Sequence, residues 1–99
     1  MNKGSAGGRH NGRARVLISG RVQGVWFRGT AAETARSLRL SGYVRNLPDG
    51  RVEAVFEGEV SSITQAVQWC HHGPSHARVD SVDVTWEKPK GESGFKIAF

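Results

Sequence analysis

Cysteine is almost missing from this chain: Cys70 is the only one in 99 residues. A lone thiol closes no internal disulfide, and without a C-x-x-C pair no zinc knuckle is expected. A reducing, cytoplasmic setting suits that usage. No run approaches the roughly 20 apolar residues of a membrane span, and the first residues lack the apolar stretch of a secretory signal. Internal repeats are lacking too. Residues 1–12, MNKGSAGGRHNG, have almost nothing to bury, so they are expected to be a disordered leader. Residues 13–99 then form a single domain, and an apolar content of 37% allows one small core.

Acidic residues are scarce in one half only. Residues 13–51 hold eight arginines against Glu33 and Asp49, a balance of +6. Residues 52–99 hold four basic and seven acidic residues, a balance of −3. Either a solvated basic face or an anion site for phosphate or nucleic acid follows from that asymmetry.

The periodicities give the elements. Ala14, Val16 and Ile18 alternate, which predicts a strand from Arg13 to about Ser19. Ala31, Ala35 and Leu38 follow helical spacing, with Gly42 as the expected stop. Tyr43 to Leu47 is rich in β-formers, and Pro48-Asp49-Gly50 is a turn signal. Val52, Ala54 and Phe56 alternate with Arg51, Glu53 and Glu57, which completes a hairpin. Ser62 with Gln65 suggests a capping box for a second helix, whose stripe is Ile63, Ala66, Val67 and Cys70. Gly73-Pro74 ends it. Val82, Val84 and Trp86 alternate in a fourth strand, and Phe95, Ile97 and Phe99 in a fifth. The order β-α-β-β-α-β with a terminal strand predicts an α+β, ferredoxin-like split βαβ sandwich. Its antiparallel sheet of four or five strands carries both helices on one face.

The segment GRVQGVWFRG, Gly20 to Gly29, joins the first strand to the first helix. A glycine-containing turn feeding a helix lets successive amides converge on a tetrahedral anion, with the helix dipole behind them. Arg28 stands at the helix start, where its planar fork matches two phosphate oxygens. The competing reading is a plain turn anchored in the core by Trp26 or Phe27.

Other residues carry less. His71 and His72 are adjacent, so a helix points them in different directions, and with His76 they read as helix-end histidines. Cys70 falls on the apolar stripe and reads as core. Glu57 and Glu59 read as solvated charge. Trp26 and Phe27 do not form an RNA-stacking pattern. Asn46 reads locally as a turn-side hydrogen bonder.

GRVQGVWFR resembles the acylphosphatase signature, a G-x-V-Q-G-V-x-F-R run. SGYVRNLPDGRVEAVFEG resembles that family's second block, G-[WY]-V-R-N-x-x-D-G-x-V-E, and GPSHARVDSV its G-P-x-x-A-x-V turn. The similarity covers residues 13–99. It departs at Tyr43, where many members have tryptophan, and at Arg39, where many have glycine. The resemblance implies a ferredoxin-like enzyme that hydrolyses acyl phosphates to a carboxylate and inorganic phosphate. It implies Arg28 and Asn46 as catalytic residues, Asn46 holding the water. It also implies a phosphate loop made of the amides of Val22, Gln23, Gly24, Val25, Trp26 and Phe27. No cofactor or metal is expected, and the expected partner is a small-molecule acyl phosphate. Specific nucleic-acid binding and membrane association are not expected, and the protein is expected to be a monomer. Two alternatives stay open: a basic nucleic-acid-binding module, and an acylphosphatase-like regulatory module of a larger maturation protein.

Overall fold

A computed structural model describes residues 10–99 of the chain. The first nine residues of the expected leader lie outside the described residues. The chain runs β1 (Asn11–Arg21), α1 (Phe27–Ser37), β2 (Ser41–Asn46), β3 (Val52–Glu59), α2 (Val60–Cys70), β4 (Arg78–Glu87) and β5 (Phe95–Ile97). Strand β1 thus starts at Asn11, inside the segment expected to be leader. Gly12 packs there, where a Cβ would lie 3.2 Å from Val60 and 3.6 Å from Trp86.

The five strands lie in the order β4-β1-β3-β2-β5. Strand β3 pairs antiparallel with both β1 and β2, and β1 pairs antiparallel with β4. The sheet is not wholly antiparallel, however: β5 joins β2 in parallel, with Val44 opposite Ile97. The chain leaves β4 at one edge, crosses the sheet and returns along β2 at the other edge, which fixes that direction. The architecture is the expected ferredoxin-like α+β sandwich.

Period-two alternation places Ala14, Val16, Ile18, Val52, Ala54 and Phe56 under the helices, all buried. Helix α1 meets them with Ala31, Ala32 and Ala35, small residues that let it approach closely. Helix α2 contributes Ile63, Ala66 and Cys70. Phe56 stacks on Phe95 with ring centroids 5.7 Å apart. Burial in this core pushes the Cys70 thiol up to about 12.

Two helix-end expectations are corrected. Helix α1 stops at Ser37, and Gly42 lies within β2, where a Cβ would sit 1.8 Å from the Val55 carbonyl oxygen. Gly42 therefore serves close strand approach. The left-handed residue ending the helix is Arg39, at φ 59°. The Arg39 amide donates to Arg36 O (3.0 Å) and the Leu40 amide to Ala35 O (2.9 Å). That pattern is a Schellman motif, with arginine where glycine is ordinarily favoured. Helix α2 starts at Val60, directly out of β3, so Ser62 is inside its first turn and no capping box forms. The Val60 amide donates instead to the His10 carbonyl at 2.8 Å.

The face of the sheet away from the helices carries charge rather than solvent. Arg13 is only 2% exposed and Glu57 only 7%. Arg13 meets Glu57 at 2.6 Å and both Glu87 and Glu92 at 2.9 Å. Arg15 bridges Glu53 and Glu87, and Arg45 reaches Glu53 at 2.6 Å. The loop after β4 closes over them: the amides of Lys90, Gly91 and Glu92 donate to Glu57. Glu57, expected as solvated charge, is instead a buried acceptor. Burial works against its charge, but the hydrogen bonds from Lys90 N, Arg13, Glu92 N and Gly91 N hold its carboxyl below the usual range.

Candidate active site

The segment between β1 and α1 owes its shape to three residues with left-handed or related backbone. Gly20, at φ 127°, sits at the register shift between β1 and β4, where a Cβ would meet Arg78 O at 2.2 Å. This bulge alters the register at the end of β1, which stays paired with β4 through Arg21 before the loop begins. Gly24 is left-handed at φ 73° with open space around it, so conformation rather than crowding favours glycine there. Trp26 is left-handed at φ 69° without being glycine, which costs on the order of 1–2 kcal/mol. Its carbonyl accepts from both the Thr30 amide (3.1 Å) and the Thr30 hydroxyl (3.0 Å), which fastens the strained residue to the first helical turn.

Trp26 is also the N-cap of α1. Its side chain caps nothing, and no acidic residue occupies the first turn. The amides of that turn are thus left without a side-chain acceptor of the helix's own, beside the positive end of the helix dipole. Left-handed Trp26 followed by helical Phe27 is a backbone sequence that turns neighbouring amides to one side. Phe27 goes into the core, 5.1 Å from the Trp69 ring centroid. A Cβ at Gly73 would lie 2.8 Å from the Phe27 ring, so the turn after α2 packs directly on this anchor. Trp26, by contrast, is 81% exposed and lies against Gly29. Of the two aromatic residues weighed as a core anchor, Phe27 is the anchor.

Arg28 has no carboxylate within ion-pair distance among the described residues. Its Nη1 lies 3.4 Å from the Ala98 carbonyl, at the limit of a hydrogen bond, and its guanidinium lies 4.9 Å from the Phe99 ring centroid. The charge is thus held near the first helical turn without being neutralised. Asn46 ends β2 opposite Val52. Its Oδ1 is buried and has no hydrogen-bond partner among the described residues. An acceptor left so costs roughly 1–3 kcal/mol, and such a group calls for a donor.

Val22, Gly24, Trp26, Phe27, Arg28 and Asn46 line one open cavity of about 580 Å³. Gln23 and Val25 do not line it. Gln23 turns to the hairpin, its Nε2 donating to Leu47 O at 2.8 Å and Arg51 O at 2.9 Å, while Val25 packs against the core. The cavity also takes in Glu33, Arg36, Ile97 and Phe99, which sequence reasoning did not single out. A signal existed for each pair. Gly29, Glu33 and Arg36 follow helical spacing on the polar side of α1, and Ile97 and Phe99 continue the alternation that buries Phe95.

The charge asymmetry does not gather at this cavity. Arg13, Arg15 and Arg45 face Glu53, Glu57 and Glu87 across the sheet. Of the eight arginines in residues 13–51, only Arg28 and Arg36 line the cavity, and Arg36 donates to Phe95 O at 2.8 Å. His71, His72 and His76 are exposed, and His71 hydrogen-bonds Val67 O on its own helix. Among the described residues no three His, Cys, Asp or Glu side chains group closely enough to hold a metal ion. None of the described helices is long and apolar enough to cross a membrane.

The comparisons with known proteins agree with one another. The acylphosphatase family model matches residues 14–97. An acylphosphatase of Roseiflexus sp. (strain RS-1) is 65% identical over 86 residues, spanning 86% of this chain and 92% of that protein. The solved acylphosphatase of Coxiella burnetii superposes with a TM-score of 0.86 at 36% identity, covering 89% of this chain and 93% of its own. That of Bacillus subtilis gives 0.87 at 32% identity, covering 89% and 99%. Neither the nucleic-acid module nor the regulatory module is favoured by these similarities. This chain belongs to the acylphosphatase family, and with it to the hydrolases of that name.

Proposed function

We infer that Arg28, the amides of the loop from Val22 to Phe27 and the carboxamide of Asn46 form the reaction centre for acyl phosphate hydrolysis. The observation that carries this reading is Asn46: it lines the same cavity as a guanidinium unpaired among the described residues and the uncapped start of α1, and its Oδ1 has no partner among those residues. The phosphoryl oxygens lie in the amide cradle, with the Arg28 fork across two of them. The Asn46 carboxamide hydrogen-bonds a water and leaves an oxygen lone pair of that water aimed at phosphorus. The P–O bond to water forms as the bond to the carboxyl oxygen breaks. The carboxylate leaves with the bonding pair, and the water's proton passes to a phosphoryl oxygen. A carboxylate is stable enough as a leaving group to need no general acid, so positioning and charge stabilisation suffice. The carbon part of the substrate lies against Trp26, Ile97 and Phe99, the apolar surface of the cavity. The scheme uses no metal or cofactor. We place the protein in the cytoplasm as a monomer, a setting that keeps the single buried thiol of Cys70 reduced.

Hydrolysis of benzoyl phosphate with competitive inhibition by inorganic phosphate tests this reading. Turnover blocked by phosphate is expected, because phosphate fits the same cradle. A folded protein that leaves benzoyl phosphate intact, or whose turnover ignores phosphate, contradicts it.

A further inference from the structure

We propose that the Gln23 side chain is a positioning residue that sets the distance between the phosphate cradle and the Asn46 carboxamide. This rests on the reaction centre inferred above. Gln23 belongs to the cradle by sequence, yet its side chain does not enter the cavity. Its single amide nitrogen uses both hydrogens on the hairpin: one goes to Leu47 O at 2.8 Å, the other to Arg51 O at 2.9 Å. Leu47 is the residue next to Asn46, and Arg51 precedes Val52, the partner of Asn46 across the β2–β3 pair.

The two carbonyls also serve the hairpin itself. The Leu47 amide donates to Arg51 O at 2.8 Å, and the Gly50 amide donates to Leu47 O at 3.1 Å. Each oxygen has a second lone pair, and Gln23 occupies both of these. The turn can therefore close without Gln23. What Gln23 adds is a rigid, two-point link from the loop to the strand end that presents Asn46.

That link matters because, beyond the sheet pairing that sets Ile18 and Asn46 on either side of Val52, no other hydrogen bond among the described residues joins the loop to the strand end that carries Asn46. Asn46 Oδ1 makes no hydrogen bond, and Arg28 reaches the C-terminal segment instead. A water aimed at phosphorus demands placement within a fraction of an ångström, and a misplacement of about 1 Å costs roughly 10²-fold in rate. Glutamine supplies what this needs. Its amide carries two donors, whereas glutamate would bring a third and fourth acceptor against two carbonyls, and methionine would bring none.

The test is a double-mutant cycle between Gln23→Met and Asn46→Ala, read with acetyl phosphate or benzoyl phosphate. Gln23→Met is expected to lower kcat about 10- to 30-fold by loosening the water-holding group. The inhibition constant of inorganic phosphate is expected to stay near its wild-type value, because the cradle amides and Arg28 remain. In the Asn46→Ala background the same change is expected to cost almost nothing further, the signature of two residues acting as one unit. The Asn46 side-chain amide NMR signals, followed in the folded protein, are expected to shift and broaden in Gln23→Met. If Gln23→Met does not fold, Gln23→Asn, one methylene too short to span both carbonyls, takes its place.

Losses that multiply in the double variant, a phosphate affinity that falls as far as kcat, or unmoved Asn46 signals would each overturn the proposal. A wild-type protein that hydrolyses no acyl phosphate would remove the reaction centre itself. The clamp would then still be judged by the Asn46 signals alone.

Discussion

Arg13 and Arg28 are both arginines of the basic half, yet they lie in opposite circumstances. Arg13 has three carboxylates within 2.9 Å, and every one comes from the acidic half of the chain. Among the described residues Arg28 has none, and it rests beside a carbonyl and an aromatic ring. A count of charges treats them alike. Their partners separate them: the cation satisfied by the fold holds the sheet together, and the one left unsatisfied is free for a ligand.

The largest effect should come from the unsatisfied cation. Arg28→Lys keeps the charge but loses the fork, and turnover should fall by roughly 10²- to 10³-fold or more. The melting temperature should hardly move, because Arg28 has no ion pair among the described residues to lose. Normal turnover in the folded variant would erase the contrast with Arg13.

The reverse pattern is expected on the other face. Glu57→Ala strips Arg13 of its shortest partner and leaves three loop amides without an acceptor. The cost should be about 3 kcal/mol or more, as for breaking one side of a buried pair. That corresponds to a melting-temperature drop on the order of 10 °C. Turnover measured below the new melting temperature should match wild type. Lost turnover without lost stability would mean that the network reaches the site.

Acid should probe the same face more gently. The folded-state pKa of Glu57 is lowered, so its contribution to stability is full above the unfolded value of about 4.3. It is lost as pH falls through the folded value. Glu87 shifts the same way, through Arg15 first and Arg13 second. Wild type should therefore destabilise steeply below about pH 4, while Glu57→Ala should show a flatter acid profile. Equal slopes would remove Glu57 from the account. The smallest effect is expected at Arg39. Glycine relieves its left-handed strain, so Arg39→Gly should stabilise by up to about 1 kcal/mol with no change in turnover. A lower melting temperature would show that the arginine side chain outweighs its backbone.

The helix-facing half of this fold was legible because the apolar residues there follow period two in the strands and period 3.6 in the helices. Ala14, Val16 and Ile18 or Ile63, Ala66 and Cys70 declare their partners by spacing. The opposite face was not legible. Arg13, Glu53 and Glu57 alternate as exposed residues would, and the loop from Lys88 to Gly94 that covers Glu57 carries no such signal. The helix end was misread for a related reason. A glycine marks a turn, a strained φ or a close approach alike, so Gly42 looked like a helix stop while Arg39 was left-handed. At the site, the glycine turn and the arginine at the helix start announced an anion cradle. Asn46 announced nothing locally, since it shares a cavity with Arg28 and the start of α1 only once β2 and β1 flank β3. It came from the resemblance, and the described structure adds its unpartnered oxygen.

The most direct measurement is made on purified Asn46→Ala, with turnover, phosphate affinity and thermal midpoint taken together. If Asn46 holds the attacking water, turnover should drop by about 10²-fold. Inorganic phosphate should still bind nearly as well, since Arg28 and the loop amides are intact. The midpoint should hold or rise slightly, because the change removes a buried oxygen that has no partner. Wild-type turnover in a destabilised protein would instead make Asn46 a residue of the hairpin, and the proposed water site would be wrong.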